Sequence, residues 1–193
     1  MSRRKLSENS RPASSTVSGK ANKPANTSEN LTHLDRRGRL RMVDIAEKSV
    51  TRREAIARGS IKMSPSTLAA ILDGELKKGE ALAAARVAGI MAAKRTHELI
   101  PLCHQIAIEC VRIDFRAASD RSAIEIEARA VCEAKTGIEM EALVAVSAAA
   151  LTIYDMAKAI DRAMVIGRIR LVRKTGGRSG DFTRAGEDAA LEG

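Results

Sequence analysis

The spacing of apolar and polar positions changes period several times along the 193 residues, and each change marks a new element. From Glu54 to Met63, Ala55, Ala57, Gly59, Ile61 and Met63 alternate with Glu54, Arg58, Ser60 and Lys62, the period of a half-buried strand. Only Ile56 is out of phase. Ser64 and Pro65 then match a helix N-cap with proline at the first helical position, and Gly74 suits the exit from that short helix. A second helix is expected over about Glu80 to Leu99, with Leu82, Ala85, Val87, Ile90 and Ala93 among its apolar positions and Pro101 marking its end.

Two further alternating runs face each other across Ala118 to Arg121, a hairpin pattern. The first places Ile106, Ile108 and Cys110 on even positions and Val111, Ile113 and Phe115 on odd ones, which predicts a bulge near Cys110. The second, Ile124 to Cys132, alternates cleanly. A last strand is expected from about Met164 to Arg173. The resulting order is strand, helix, helix, strand, strand, helix, strand. It predicts an α+β protein: a ferredoxin-like antiparallel sheet with helices on one face and one added helix. The other face, with Glu125, Glu127, Arg168 and Arg170, is polar enough to be solvated or to meet another subunit.

The longest element is expected over Gly137 to Asp161. Thr136 with Glu139 reads as a capping box, and only Ser147 and Thr152 interrupt the small and apolar residues from Ala142 to Ile153, so the helix should pack on most sides. At about 100° per residue, Glu141, Val144, Ala148, Leu151, Asp155 and Lys158 share one face, with Met140 at its edge. Two carboxylates and an amine on one face suit a site. Helical spacing alone fits a capping glutamate and an ordinary Asp155–Lys158 surface pair better than a site.

Composition narrows the setting. The length suits one domain with its own core. Three cysteines without a C-x-x-C pair fit a reducing cytoplasm rather than a disulfide framework. The apolar run Leu143 to Ile153 is too short to span a bilayer of about 30 Å, so no membrane role is expected. Residues 1–30 hold six basic and two acidic side chains and show no period, which reads as a disordered basic tail. The domain is expected over 31–182, and 183–193 as a flexible C-terminal tail.

The formal charge of +9 admits nucleic acid, an acidic membrane surface or a small polyanion as partner. Three aromatic residues, Phe115, Phe182 and Tyr154, leave little for base stacking, so a phosphorylated small molecule ranks above nucleic acid. A non-catalytic basic module that binds nucleic acid is the competing class. Steep salt dependence of binding would mark it.

Candidate chemistry lies at several places. Cys103 and His104 follow Pro101 and Leu102 where a helix hands over to a strand, and they fit either a reactive pair or a buried thiol beside a backbone-bonded imidazole. The histidines and cysteines show no zinc-ligand spacing, and no metal site is expected. Lys174 to Asp181 reads K-T-G-G-R-S-G-D, able to wrap an oxyanion or to form a flexible basic end. Lys78, Lys94, Lys158, Lys174 and Arg178 could bind phosphates, and Glu141, Asp155 and His104 could move protons.

Six motifs in order carry a specific resemblance: M-V-D-I from Met42, A-G-I-M-A-A-K-R-T from Ala88, L-I-P-L-C-H from Leu99, K-T-G-I-E-M-E-A-L from Lys135, A-L-T-I-Y-D-M-A-K from Ala150 and K-T-G-G-R-S-G-D-F from Lys174. The chain resembles the cyclic pyranopterin monophosphate synthases, the molybdenum cofactor biosynthesis protein C family, from about Leu31 to Phe182. That resemblance implies conversion of 3',8-cyclo-7,8-dihydro-GTP to cyclic pyranopterin monophosphate with release of pyrophosphate, by acid–base catalysis in a lyase without a cofactor. It implies a homohexamer, a trimer of dimers, with active sites at subunit interfaces. Asp155 matches the catalytic aspartate and Lys158 its partner lysine. Leu102, Cys103 and His104 match one substrate-binding stretch, Met140 and Glu141 another, and Lys78, Lys94 and Lys174 match basic positions of the pocket.

Overall fold

The computed structural model describes residues 37–187, so the expected basic tail over 1–30, the start of the domain at 31 and the last six residues of the expected C-terminal tail lie outside the described residues. The chain runs β1 (Thr51–Lys62), α1 (Pro65–Leu72), α2 (Ala81–Lys94), α3 (Thr96–Leu99), β2 (Cys110–Ala117), β3 (Ala123–Ala134), α4 (Glu139–Ala157), β4 (Val165–Thr175) and β5 (Phe182–Thr183). The sheet order is β2-β3-β1-β4-β5, with antiparallel pairing throughout. Each helical crossover therefore skips one strand: β1 and β2 flank β3, and β3 and β4 flank β1. This is the ferredoxin-like split βαβ arrangement with added helices and a short fifth strand.

The alternation in β1 and β3 explains which face is covered. Ala55, Ala57 and Ile61 pair with Ala130, Ala128 and Ile124 and are fully or almost fully buried under α4. The small side chains let the helices lie close to the sheet and to each other. A Cβ built on Gly89 of α2 would stand 2.8 Å from the Ala145 carbonyl oxygen of α4 and 2.4 Å from Ile113 Cδ1, so glycine is required there. By length and composition α4 could cross a membrane, yet its Ala142, Ala145, Val146, Ala149, Ala150 and Ile153 form the core of this domain. Its polar residues are satisfied locally: Ser147 and Thr152 hydroxyls donate to the carbonyls of Leu143 and Ala148, each at 2.8 Å.

The structure corrects several expectations. α4 begins at Glu139 with Ile138 at the cap and no side-chain cap bond, so the Thr136–Glu139 capping box does not form. α4 does pack on most sides, as expected: of its residues only Leu151, 61% exposed, and Asp155 are open to solvent. The second helix stops at Lys94, where Arg95 leaves helical geometry (φ −114°, ψ 14°), and α3 follows as a separate turn. β2 begins at Cys110 and pairs with β3 in unbroken register from there, and the Glu109 N–H also reaches the carbonyl of Val131, which stands opposite Cys110, at 3.0 Å, so two residues oppose one where the bulge was expected. Further irregularities, not expected, lie between β1 and β4, where the register shifts twice and Arg168 takes a left-handed φ of 55°. The uncovered face is charged, as expected, and knitted by ion pairs: Arg58–Glu127, Arg116–Glu125 and Arg129–Glu54, each 2.7 Å.

Candidate active site

α4 carries chemistry at both ends. Near its C-terminal end the Asp155 carboxylate is bridged by two amines: Lys158 Nζ lies 2.6 Å from Oδ1 and Lys78 Nζ 2.8 Å from Oδ2. Lys158 is the C-cap residue, one turn along the same helix, where a cation also suits the helix dipole. Lys78 comes from the turn before α2 and donates as well to the Asp155 carbonyl oxygen at 2.8 Å. The hydrogen bonds from Lys158 and Lys78, reinforced by their charges, hold the Asp155 carboxyl down at about 2. The group is therefore a carboxylate at neutral pH, held between two basic side chains. All three side chains are about half exposed, available to a ligand.

The first turn of α4 builds a different environment. Glu141 is 3% exposed, and burial, with a smaller contribution from the Glu139 charge, pushes its carboxyl up from the ordinary 4.5 to about 7, against a bond from its own backbone N–H. It lines a cleft of about 310 Å³ together with Met140, Leu102, Cys103 and His104. Burial and the neighbouring Glu141 push the Cys103 thiol up, so it stays protonated and is a poor nucleophile. His104 Nε2 donates to the Val43 carbonyl at 2.8 Å, and Lys135 Nζ donates to the Ala46 carbonyl at 2.6 Å. These two bonds fasten the segment before β1 over the cleft, where Val43, Ile45 and Lys48 complete its lining.

Lys174, from β4, approaches the same end. Its amine is 2.6 Å from Ser179 Oγ and 3.6 Å from Glu139 Oε1, and Glu139 lines the cleft. Lys94, in the last turn of α2, is exposed and makes no ion pair among the described residues. Among those residues no three His, Cys, Asp or Glu side chains are placed to hold a metal ion.

The site residues named from the sequence thus fall into two groups rather than one. Leu102, Cys103, His104, Met140, Glu141 and Lys174 gather at the start of α4, and Asp155, Lys158 and Lys78 at its end. Asp155 lies fourteen positions along the helix from Glu141, about 21 Å along the axis. The sequence reading overlooked seven lining residues: Val43, Ile45, Lys48, Ile106, Thr136, Gly137 and Glu139. The first two lie in the M-V-D-I motif, which already stood out as specific and was given no role in the site.

Comparison with known proteins bears on this arrangement. The family model described as the MoaC family matches residues 42–177. The cyclic pyranopterin monophosphate synthase of Pelotomaculum thermopropionicum is 58% identical over 162 residues, covering 84% of this chain and 95% of its own. The proteins of the same name from Chloroflexus aurantiacus and Thermomicrobium roseum are 60% and 55% identical, covering 80% and 82% of this chain and 94% and 96% of theirs.

Proposed function

The chain belongs to the MoaC family, and on that premise we propose that it converts 3',8-cyclo-7,8-dihydro-GTP to cyclic pyranopterin monophosphate with release of pyrophosphate, as a lyase of molybdenum cofactor biosynthesis. The observation that carries this reading is the Asp155 carboxylate held between two lysine amines at the open end of α4. Opening the purine-derived ring and rebuilding it as a pterin moves protons on and off ring nitrogens and carbons. Lys158 and Lys78 supply them as ammonium groups, and the Asp155 carboxylate orients the amines and stabilises their charge. The two partners do not act as equals: the carboxyl is ionised throughout the physiological range.

Closing the cyclic phosphate forms one bond and breaks another. A sugar hydroxyl oxygen attacks the α-phosphorus, its proton passes to a base, and the bond to the pyrophosphate oxygen breaks. Lys174 and Lys94 stabilise the charge that develops on the phosphates. Leu102, Cys103, His104, Met140 and Glu141 bind the substrate in the cleft, where His104 serves through its shape and its bond to Val43.

A substrate of this size does not reach from Glu141 to Asp155 within one subunit. The reading therefore takes each active site to combine the start of α4 from one subunit with the end of α4 from another, in a homohexamer arranged as a trimer of dimers. A cytoplasmic location belongs to the same reading, supported by three free cysteines.

The test is to incubate the purified protein with the cyclised GTP substrate and follow pyrophosphate and pterin together. Both should form with the wild-type protein and be lost in Asp155→Asn and Lys158→Ala proteins that retain fold and assembly. Failure of the wild-type protein to form product would overturn the assignment.

A further inference from the structure

The uncovered face of the sheet holds a clamp that the reaction above does not use. Arg58 of β1 and Arg170 of β4 stand directly opposite each other in the ladder, and both side chains lie on this face. Two like charges so placed repel. Glu187, near the end of the described chain, sits over both of them. Its Oε2 accepts from Arg58 Nη1 at 2.9 Å and its Oε1 from Arg170 Nε and Nη2, and the carboxylate is only 15% exposed. Glu127 holds the other side of Arg58.

The segment that Glu187 fastens leads back to the cleft. After Lys174 the chain makes the glycine-rich loop, whose Ser179 hydroxyl holds the Lys174 amine, and returns along β4 as β5. β5 has two residues, both exposed, and two register pairs. Beyond it Arg184 adds two bonds to β4, from its N–H to the Val172 carbonyl and from Nε to the Leu171 carbonyl, each 2.8 Å. So short an exposed edge is weakly held by backbone bonds alone. The shielded charge clamp is the firmer attachment.

We propose that Glu187 is a positioning residue for substrate binding: clamped between Arg58 and Arg170, it latches the C-terminal segment along β4 and so keeps Ser179 against the amine of Lys174. The proposal rests on the function given above for the substrate, and on the structure alone for the latch. Glu187 does not touch the cleft; it acts through β5 and the loop. Releasing it frees the loop, and the Lys174 amine loses its bond to Ser179 and is left with Glu139.

Two readouts test it on the full-length protein. Glu187→Gln should speed hydrogen exchange across residues 176–184 about tenfold and raise KM for the cyclised GTP substrate roughly three- to tenfold while kcat stays within about twofold. Glu187→Asp should fall between the two. Ser179→Ala should reproduce the KM change with exchange at Arg184 unaltered. Unchanged exchange in Glu187→Gln would overturn the latch, and faster exchange with unchanged KM would overturn the positioning role. A wild-type protein inert toward this substrate would overturn the assigned function and the positioning role together, and exchange would still decide the latch by itself.

Discussion

Glu141 and Asp155 stand on the same helix about 21 Å apart, the first buried beneath a cleft and the second open to solvent at the far end. One subunit cannot bring them to one small substrate. Mixing inactive Glu141→Gln subunits with inactive Asp155→Asn subunits, followed by dissociation and reassembly, should therefore restore about a quarter of wild-type activity, since one site in four would draw both intact ends. No recovery in a mixture shown to exchange subunits would mean that each site comes from one chain.

Asp155→Asn keeps the shape of the side chain and removes the charge that holds both amines. Turnover should fall by about 10²- to 10⁴-fold with little change in melting temperature, because the group is on the surface. The wild-type carboxyl remains ionised until the pH approaches about 2. Any fall in kcat/KM between pH 5 and 8 must then belong to another group, and a pH–rate profile will show whether it survives in an Asp155→Glu protein.

Glu141 gives a pH dependence of the opposite kind. Its carboxyl is raised from 4.5 to about 7, so below pH 4.5 the group is protonated in both folded and unfolded chains and costs nothing. As pH rises toward 7 the unfolded chain ionises first, and folding stability falls, levelling off above 7 at a loss of up to about 3 kcal/mol. Glu141→Gln should remove this slope. Urea melts at pH 5 and pH 8 will show a larger difference for the wild-type protein than for the variant.

At Gly89 the helices leave no room for a methyl group. Gly89→Ala should destabilise the fold by roughly 1–3 kcal/mol despite the better helix propensity of alanine, because the Ala145 backbone cannot retreat far from a Cβ at 2.8 Å. Chemical denaturation will measure it. A neutral or stabilising result would show that α2 and α4 can move apart at little cost.

Much of the fold was legible because local signals agreed with the tertiary outcome. The alternation in β1 and β3 identified the buried faces, and Ser64 caps α1 as expected, its hydroxyl accepting from Thr67 N–H at 3.2 Å. Asp161 adds a bond to the Ser64 N–H at 3.0 Å that no local pattern could announce. The misses occur where a remote partner decided. Glu139 had the spacing of a capping residue, but its carboxylate folds back over Gly137, 3.6 Å from Lys174. Ile106 and Ile108 alternate like a strand yet pack against the core outside the ladder. Arg168 sits in a regular-looking G-R-I-R run, and only the pairing of β4 with β1 reveals its bulge. For the site, the face shared by Glu141, Asp155 and Lys158 was visible from helical spacing. That the face passes from core to solvent along its length was not.

Between its two chemical ends α4 runs without a break, so the number of residues in it matters as much as their identity. One residue inserted between Glu141 and Asp155 would carry Asp155 about 1.5 Å onward and turn it about 100° around the axis, away from Lys78 and into the half-buried position that Met156 now holds. Lys158 would turn with it, and the surviving ion pair would point at the wrong neighbour. Side chains on the outer face can change while this spacing holds. The helix works as a ruler, and an insertion or deletion inside it is the change in a related sequence that should signal a different assembly.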